Sequence, residues 1–154
     1  MTTTVDTNIL VYASDTGAPE QERAQALLEH LAAGPDLVVL LWPTLLGYLR
    51  IVTHPSICAA PLPFDAARGN VDALLSLPHT RAAGETAEFW RAFGLVTTDV
   101  PVRGNLVPDA QVVTLMRTHG VHQIWSRDRD LRRFGTITVS DPFEDRYATG
   151  FPAR

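Results

Sequence analysis

The sequence contains no lysine, and all 13 of its basic residues are arginine. This absence excludes every mechanism that depends on a lysine side chain. A phosphate-binding loop of the type that ends in Gly-Lys-Ser/Thr is excluded, and so is an enzyme that forms a Schiff base with its substrate. A receiver domain, which also gathers aspartates at strand ends but relies on a lysine, is disfavoured for the same reason.

Cysteine, long apolar runs and excess positive charge are also scarce. Cys58 is the only cysteine, which excludes an internal disulfide and a cluster of thiolate metal ligands. No apolar run approaches the ~20 residues that span a bilayer, and the N-terminus lacks the basic start and apolar core of a signal peptide. We therefore expect a cytoplasmic protein without membrane contact. The net charge of −4 argues against a general polyanion-binding surface, although a local basic patch beside a metal would suffice for nucleic acid.

The alternation of strands and helices predicts an α/β fold. At 154 residues, with 45% apolar and 19% charged residues, the chain fits one ordinary globular domain. Apolar runs predict strands over 2–6, 37–41, 121–126 and 136–139, with a short edge strand over 79–83. Helices are predicted over 8–12, from Pro19 to Gly34, from Pro43 to His54, from an N-cap at Asp65 through Leu77, over 85–93 and over 107–118. This pattern is typical of a parallel sheet covered on both faces, and residues 144–154 are predicted to form a loose tail.

Four acidic residues occur where such a sheet would bring them together. Asp6 ends the first apolar run, Asp109 lies at the start of an apolar helix, and Asp128 and Asp130 follow another apolar run. Reactive groups collect outside the carboxyl ends of parallel strands, and converging carboxylates repel one another unless a cation lies between them. Hard divalent cations such as Mg²⁺ take oxygen ligands and keep several waters. The four acids therefore predict a metal site that presents water to a phosphate ester.

Each acid also has a purely structural interpretation. Asp6 fits an Asx turn at a strand end, Asp109 fits an acid favoured by the helix macrodipole, and Asp128 and Asp130 fit a solvated loop. We prefer the functional interpretation because all of these coincidences occur in one chain. The arginines that crowd the last motif, among them Arg127 and Arg129, suit either phosphate contact or a charged turn paired with its own aspartates.

Three motifs resemble those of the PIN-domain ribonucleases, and within them the VapC-type toxins of bacterial toxin–antitoxin pairs. They occur in the order Val5–Asn8 (VDTN), Gly104–Ala110 (GNLVPDA) and Ser126–Leu131 (SRDRDL) followed by Phe134, and Trp42–Pro55 (WPTLLGYLRIVTHP) resembles one VapC subgroup. The resemblance covers about residues 1–143, which we take as a single PIN-like nuclease domain. It implies a three-layer α/β/α fold around a mainly parallel five-stranded sheet with the first strand central. It also implies Mg²⁺- or Mn²⁺-dependent cleavage of RNA, a cognate VapB-type antitoxin that blocks the site, and a homodimer.

The resemblance assigns roles to individual residues. Asp6, Asp109 and Asp128 match metal-binding acids of the family, with Asp130 as a further acid on the metal side or a water-mediated ligand. Asn8 matches a polar residue that orients the first acid, and Ser126 matches a small hydroxyl residue near the last acids. The family also has a glutamate in the helix after the second strand. Here Gly47 occupies that position, and the segment from Leu37 to Thr53 contains no acid; Asp99, Glu85 and Glu88 are potential substitutes that the sequence does not place.

The sequence therefore predicts a metal-dependent endoribonuclease toxin. The alternative is a PIN-like module that lost efficient catalysis with the missing glutamate and acts by binding RNA or a protein. A DNA-directed nuclease with the same acids is a weaker rival, since the chain lacks the long extra helices and basic bulk that would hold duplex DNA. Arg50 is expected to project toward the cleft. The three tryptophans, Trp42, Trp90 and Trp125, are expected in the core, with Trp42 near the mouth of the cleft. The apolar face formed by residues 24–31 with Leu45 and Leu49 is expected to fit an antitoxin helix.

Overall fold

The fold is built on a sheet of five parallel strands. The computed structural model describes residues 1–152, and every strand pairing within that range is parallel. The strands lie in the order β3-β2-β1-β4-β5, so the first strand is central, as predicted. Their bounds are β1 Thr2–Val5, β2 Leu37–Leu41, β3 Thr80–Ala83, β4 Gln123–Trp125 and β5 Thr138–Ser140.

Helices cover both faces of this sheet. The six helices are α1 Thr7–Ser14, α2 Gln21–Ala33, α3 Trp42–Val52, α4 Phe64–Leu75, α5 Phe89–Asp99 and α6 Leu106–Thr118. In β2, Val38 and Leu40 pack against one layer of helices, whereas Val39 and Leu41 pack against the other, because successive side chains of a strand point to opposite faces. The expected three-layer α/β/α architecture is therefore confirmed, with α1 to α4 on one side and α5 and α6 on the other.

Two helix starts and one tryptophan were predicted wrongly. Helix α4 is capped by Pro63 rather than Asp65, which lies in the first turn, where the helix macrodipole favours an acid. Helix α5 begins at Phe89, not at residue 85, and runs on to Asp99. Its inward positions are spaced three or four residues apart and end at buried Val96, so Trp90 falls on the outer face and is 78% exposed.

The other two tryptophans differ in burial. Trp125 is only 2% exposed, as expected for the core, whereas Trp42 is 43% exposed at the carboxyl end of β2. Part of the burial of Trp125 comes from the C-terminal segment, residues 141–152. The rings of Tyr147 and Phe151 lie edge-on to Trp125, at centroid distances of 5.3 and 5.5 Å.

These contacts correct the expectation of a loose tail for the part that the structure describes. Asp145–Tyr147 form a turn of 3₁₀ helix, and Phe151 also packs against Tyr147. The aromatic rings of the tail become less exposed to solvent because they pack on Trp125. The polar composition of this segment does not predict such packing. Residues 153–154, the end of the predicted tail, lie outside the described residues, and the domain boundary at residue 143 stays a prediction. Among residues 1–152, no helix has both the length and the apolar character needed to cross a bilayer.

Candidate active site

Asp6 lies at the junction of the central strand and the first helix. Its N–H continues the pairing of β1 with β4 by donating to the Trp125 carbonyl at 2.9 Å. Its backbone is extended, and its carboxylate Oδ1 accepts the Thr7 N–H at 2.7 Å, so it caps α1. The structural role of Asp6 is therefore that of a helix cap and not the Asx turn considered from the sequence, because the N–H it accepts belongs to the next residue. Capping fixes the carboxylate at the carboxyl edge of the sheet.

Two polar side chains hold the second oxygen of Asp6. The Ser126 hydroxyl donates to Oδ2 at 2.6 Å, and the Asn8 amide donates to the same oxygen at 2.9 Å. The Asn8 amide also lies 3.3 Å from Ser126 Oγ. The structure therefore brings Asn8 and Ser126 together around Asp6, as the sequence motifs predict.

Ser126 connects the first acid to the loop that carries the next two. Its hydroxyl oxygen accepts the Asp128 N–H at 2.9 Å, and Asp128 Oδ1 in turn accepts the Asp130 N–H at 2.8 Å. Asp128 is partly buried, whereas the side chain of Asp130 is 61% exposed and lies 3.8 Å from the guanidinium of Arg133. The loop thus curls over Ser126 and directs Asp128 toward the other acids, with Asp130 at the solvent side.

Asp109 completes the cluster from the opposite layer of helices. It is half-buried in the first turn of α6, and the chain enters that helix through Gly104 at φ +55°, a conformation that favours glycine. Burial, followed by the negative charges of Asp128, Asp6 and Asp130, raises the pKa of Asp109 from 3.8 to about 6. The four predicted acids therefore interact electrostatically as one group.

Burial also raises the pKa of Asp6, and the charge of Asp128 adds to that rise. The hydrogen bonds from Ser126 and Thr7 oppose it, because they stabilise the ionised form. Two raised carboxyl pKa values at one sheet edge mean that the ionised cluster is electrostatically unfavourable by itself. A cation placed among these oxygens would remove that cost.

The donor set fits a hydrated divalent cation. A carboxylate offers about four lone-pair sites, and Asp6 uses one on Oδ1 and two on Oδ2, so Oδ1 keeps a free site for a metal. The Asn8 Oδ1 atom is buried and accepts no hydrogen bond from residues 1–152. Within that range, however, no three acidic, histidine or cysteine side chains are grouped closely enough to hold one ion. A cation here would therefore take part of its coordination from water, as Mg²⁺ commonly does.

Gly47 lies where the glutamate of the resemblance was expected. It belongs to α3 and faces α1, and a Cβ atom added to it would lie 3.1 Å from Thr7 Oγ1, next to Asp6 in the chain. Of the potential substitutes, Glu85 accepts a hydrogen bond from Gln111 at 2.7 Å and Glu88 lies 3.9 Å from Arg91. Asp99 ends α5. None of the three is among the charges that raise the pKa of Asp6 or Asp109.

The predicted RNA-binding arginines occupy different environments. Arg50 is exposed in the last turn of α3, and Arg129 is exposed beside Asp128. Arg127 instead forms an ion pair with Glu20, and its guanidinium lies 5.4 Å from the Phe143 ring centroid and 5.9 Å from that of Tyr12. Of the two alternatives left open for these arginines, the charged turn paired with its own aspartates applies to Arg133, which lies 3.8 Å from Asp130, but not to Arg127. No local pattern reveals Glu20 or Phe143 as its partners, since both are distant in sequence.

Comparison with known proteins identifies the family. The PIN domain family model matches residues 3–137. The chain belongs to the PIN domain family. Ribonuclease VapC48 of Mycobacterium tuberculosis is 48% identical to this PIN domain over 143 residues, which make up 93% of this chain and 99% of that protein. The predicted resemblance to VapC proteins is thereby confirmed.

Solved structures show the same fold. VapBC2 from Rickettsia felis, bound to a DNA fragment from its promoter, aligns with a TM-score of 0.66 at 16% identity over 91% of this chain and 98% of that chain. VapC20 of Mycobacterium tuberculosis, a sarcin-ricin loop cleaving toxin, aligns with a TM-score of 0.66 at 19% identity over 90% of this chain and 99% of its own. At these identities the likeness concerns the fold alone, and it places this PIN domain in the predicted architecture.

Proposed function

We propose that this PIN domain, residues 1–143, is a Mg²⁺- or Mn²⁺-dependent endoribonuclease toxin that hydrolyses RNA phosphodiester bonds. The observation that carries the proposal is the electrostatic cluster of Asp6, Asp109, Asp128 and Asp130 at the carboxyl edge of the sheet. A cluster that raises its own carboxyl pKa values is suited to binding a cation. The 48% identity to a protein named ribonuclease VapC48 supports RNA as the substrate.

Each acid has a distinct role in this proposal. Asp6, whose Oδ1 keeps a free site, and Asp109 at the start of α6 would hold the metal. Asp128 would hold it directly or through water, and exposed Asp130 would orient a water at the solvent side. The bound metal supplies a lowered water pKa and neutralises charge on the phosphoryl oxygens. Asn8 and Ser126 fix the Asp6 carboxylate and thereby its free site.

We assign RNA contact to three exposed side chains. Arg50 and Arg129 are exposed and suited to bidentate phosphate contact. Trp42 is 43% exposed at the end of β2, on the same edge of the sheet as Asp6, and offers a surface for stacking a base. These groups favour single-stranded or loop RNA, whose unstacked bases reach side chains.

A VapB-type antitoxin is the proposed inhibitor. A cleft of about 520 Å³ runs between α1, α2, α3 and α4, with Leu28, Leu74 and Leu77 among its apolar lining residues. The face predicted for this role needs correction, because Leu27, Leu31 and Leu45 are buried in the core and only Leu28 of that face lines the cleft. An apolar cleft of this kind fits the apolar face of a partner helix. The Rickettsia felis VapBC2 complex supports an antitoxin of this class.

The homodimer and the cytoplasmic location complete the proposal. Trp90 stacks on Phe93 at a centroid distance of 5.7 Å and is 78% exposed, which offers an apolar surface for a second copy. RNA as substrate supports the cytoplasm as the place of action.

The test is RNA cleavage by purified protein in Mg²⁺, Mn²⁺ and EDTA, beside its Asp109→Asn variant. We expect cleavage in either metal, none in EDTA, and a loss of at least ~100-fold in the variant, because a group that holds the reacting water and metal contributes on that scale. Asp72→Asn on the exposed face of α4 makes the same charge change away from the site and serves as the control.

The rivals predict other outcomes. RNA binding without cleavage at any metal concentration would establish the catalytically weakened binding module. Equal cleavage of DNA of the same sequence would establish the DNA-directed nuclease. Cleavage that survives unchanged in Asp109→Asn would refute the assignment of the acidic cluster.

A further inference from the structure

Arg127 lies between two active-site residues but turns away from the site. Its neighbour Ser126 donates to Asp6 and its neighbour Asp128 faces the acidic cluster. The Arg127 side chain instead forms an ion pair with Glu20, the residue that precedes α2. Arg127 thus joins the acidic loop to a different part of the fold.

Two aromatic rings enclose the same guanidinium. Tyr12 comes from α1 and Phe143 from the C-terminal segment, and their rings meet edge-to-face at a centroid distance of 5.3 Å. The guanidinium lies within 6 Å of both centroids, a distance at which cations are attracted to aromatic rings. The three partners of Arg127 therefore come from three separate segments of the chain.

The position of Phe143 is itself fixed. Its N–H donates to the Asp141 side chain at 2.9 Å, and its carbonyl accepts from Arg23 of α2 at 2.9 Å. Because α2 supplies Arg23 and the residue before α2 supplies Glu20, both Glu20 and Phe143 are tied to that helix. The socket is defined here as Tyr12, Glu20 and Phe143.

We propose that Arg127 is a positioning residue that sets the place of the Asp128 carboxylate by locking the loop after β4 into the socket. This inference rests on the proposed function of the acidic cluster. The backbone between Ser126 and Asp128 is held at both ends, since Ser126 bonds to Asp6 and accepts the Asp128 N–H. Anchoring the residue between them restrains the backbone of this short loop further, and residues that orient a metal ligand without touching the metal affect affinity strongly.

An RNA-contact role for Arg127 fits these observations less well. Its charge is already matched by Glu20, whose pKa the ion pair lowers. To bind a phosphate, the Arg127 side chain would have to break its contacts with Glu20 and two aromatic rings. Arg50 and Arg129 are exposed and make no contacts of this kind within residues 1–152. The two roles predict opposite results in binding experiments.

The test uses full-length Arg127→Ala, Arg127→Lys and Glu20→Gln, with direct readouts of the loop and the metal. Hydrogen exchange of a peptide covering residues 126–131 is measured in metal-free protein, and Mn²⁺ affinity is measured by calorimetry without RNA. We expect Arg127→Ala and Glu20→Gln to exchange faster and to bind Mn²⁺ about 10-fold more weakly, on the scale seen when a ligand loses its orienting partner. Arg127→Lys keeps the charge but not the planar group, so its affinity should fall between wild type and Arg127→Ala.

Arg91→Ala is the matched control, because Arg91 is 83% exposed on α5 and its acid partner Glu88 is 3.9 Å away. It should match wild type in both readouts. RNA affinity, measured in EDTA by anisotropy of a short labelled RNA, should be unchanged in Arg127→Ala. If RNA affinity falls while exchange and Mn²⁺ affinity stay at wild-type values, Arg127 is an RNA contact and the proposal is wrong.

Failure of the proposed function would look different. A wild-type protein that neither binds Mn²⁺ nor cleaves RNA would refute the catalytic assignment, yet the exchange measurement would still report on the loop. Unchanged exchange in both Arg127→Ala and Glu20→Gln would refute loop locking whatever the enzyme does. Glu20→Gln keeps the Arg127 guanidinium and its aromatic contacts. This variant therefore still tests the proposal if Arg127→Ala fails to fold.

Discussion

Replacing Asp109 by asparagine should stabilise the metal-free protein at neutral pH even though it removes a residue of the proposed catalytic site. The carboxyl has a pKa of about 6 instead of 3.8 because it is half-buried and faces three other acids. At about 1.36 kcal/mol per pKa unit, this difference corresponds to ~3 kcal/mol. Solvent screening of a half-exposed group lowers the figure to about 1.5 kcal/mol. The acid also gains ~0.3–1 kcal/mol from the N-terminus of α6, so we expect a net stabilisation of about 1 kcal/mol.

The sign of the pH dependence follows from the raised pKa. Below 3.8 Asp109 is protonated in both the folded and the unfolded chain and adds no penalty. As the pH rises toward about 6, the unfolded chain releases this proton first, so the folded state loses stability across that window and the penalty is constant above it. The stabilisation by asparagine should therefore be present at pH 7.5 and should shrink as the pH falls from 6 to 4.

Urea unfolding in EDTA, followed by the fluorescence of buried Trp125, measures the effect at each pH. Asp72→Asn corrects for the loss of one negative charge. With Mg²⁺ the order should reverse, since a cation at 100 times its dissociation constant stabilises the binding form by ~2.7 kcal/mol and the variant loses that gain. An asparagine variant that is less stable than wild type in EDTA at pH 7.5, or a difference that is the same at pH 4, would refute the electrostatic argument.

Three further changes test other parts of the structure. Ser126→Ala removes the donor to Asp6 Oδ2 and should lower the unfolding free energy by ~1–2 kcal/mol and reduce kcat, as measured by urea titration and RNA cleavage. Gly47→Glu adds a carboxylate beside Thr7 and should lower the Mn²⁺ concentration for half-maximal cleavage; an unchanged requirement would mean that this position does not face the metal. Ending the chain after Phe143 removes the aromatic cover of the core and should lower the unfolding free energy by about 2–3 kcal/mol, whereas an unchanged value would show that residues 1–143 are stable alone.

The acidic cluster was predictable because its signals are local and its geometry is generic. Asp6 and Asp128 each lie just after an apolar strand, and the carboxyl ends of parallel strands meet at one edge. Asp109 lies in the first turn of its helix, which the apolar period of that helix predicts. The parallel arrangement of these elements was therefore enough to predict that the acids lie close together. No individual long-range contact had to be known.

Helix starts and surface aromatics were less predictable. The residues from Glu85 to Glu88 have helical composition, but they form the approach to α5, where Glu85 accepts a bond from Gln111 of α6. Trp90 is apolar but falls on the outer face of its helix, and composition does not distinguish that face from the inner one when aromatics occupy both. Tertiary contacts decided both outcomes.

The sequence by itself determined the α/β class and the identity of the four candidate acids, whereas the central first strand was expected only from the resemblance to PIN domains. The class and the acids follow from patterns of apolar period and strand-end acids that act over a few residues. Only the tertiary structure decided that Arg127 enters a socket instead of facing the acids, that Gly47 packs against Thr7, and that the tail covers Trp125. Each of these depends on which segments meet after folding, and contacts between residues far apart in the chain leave no periodic signature in it.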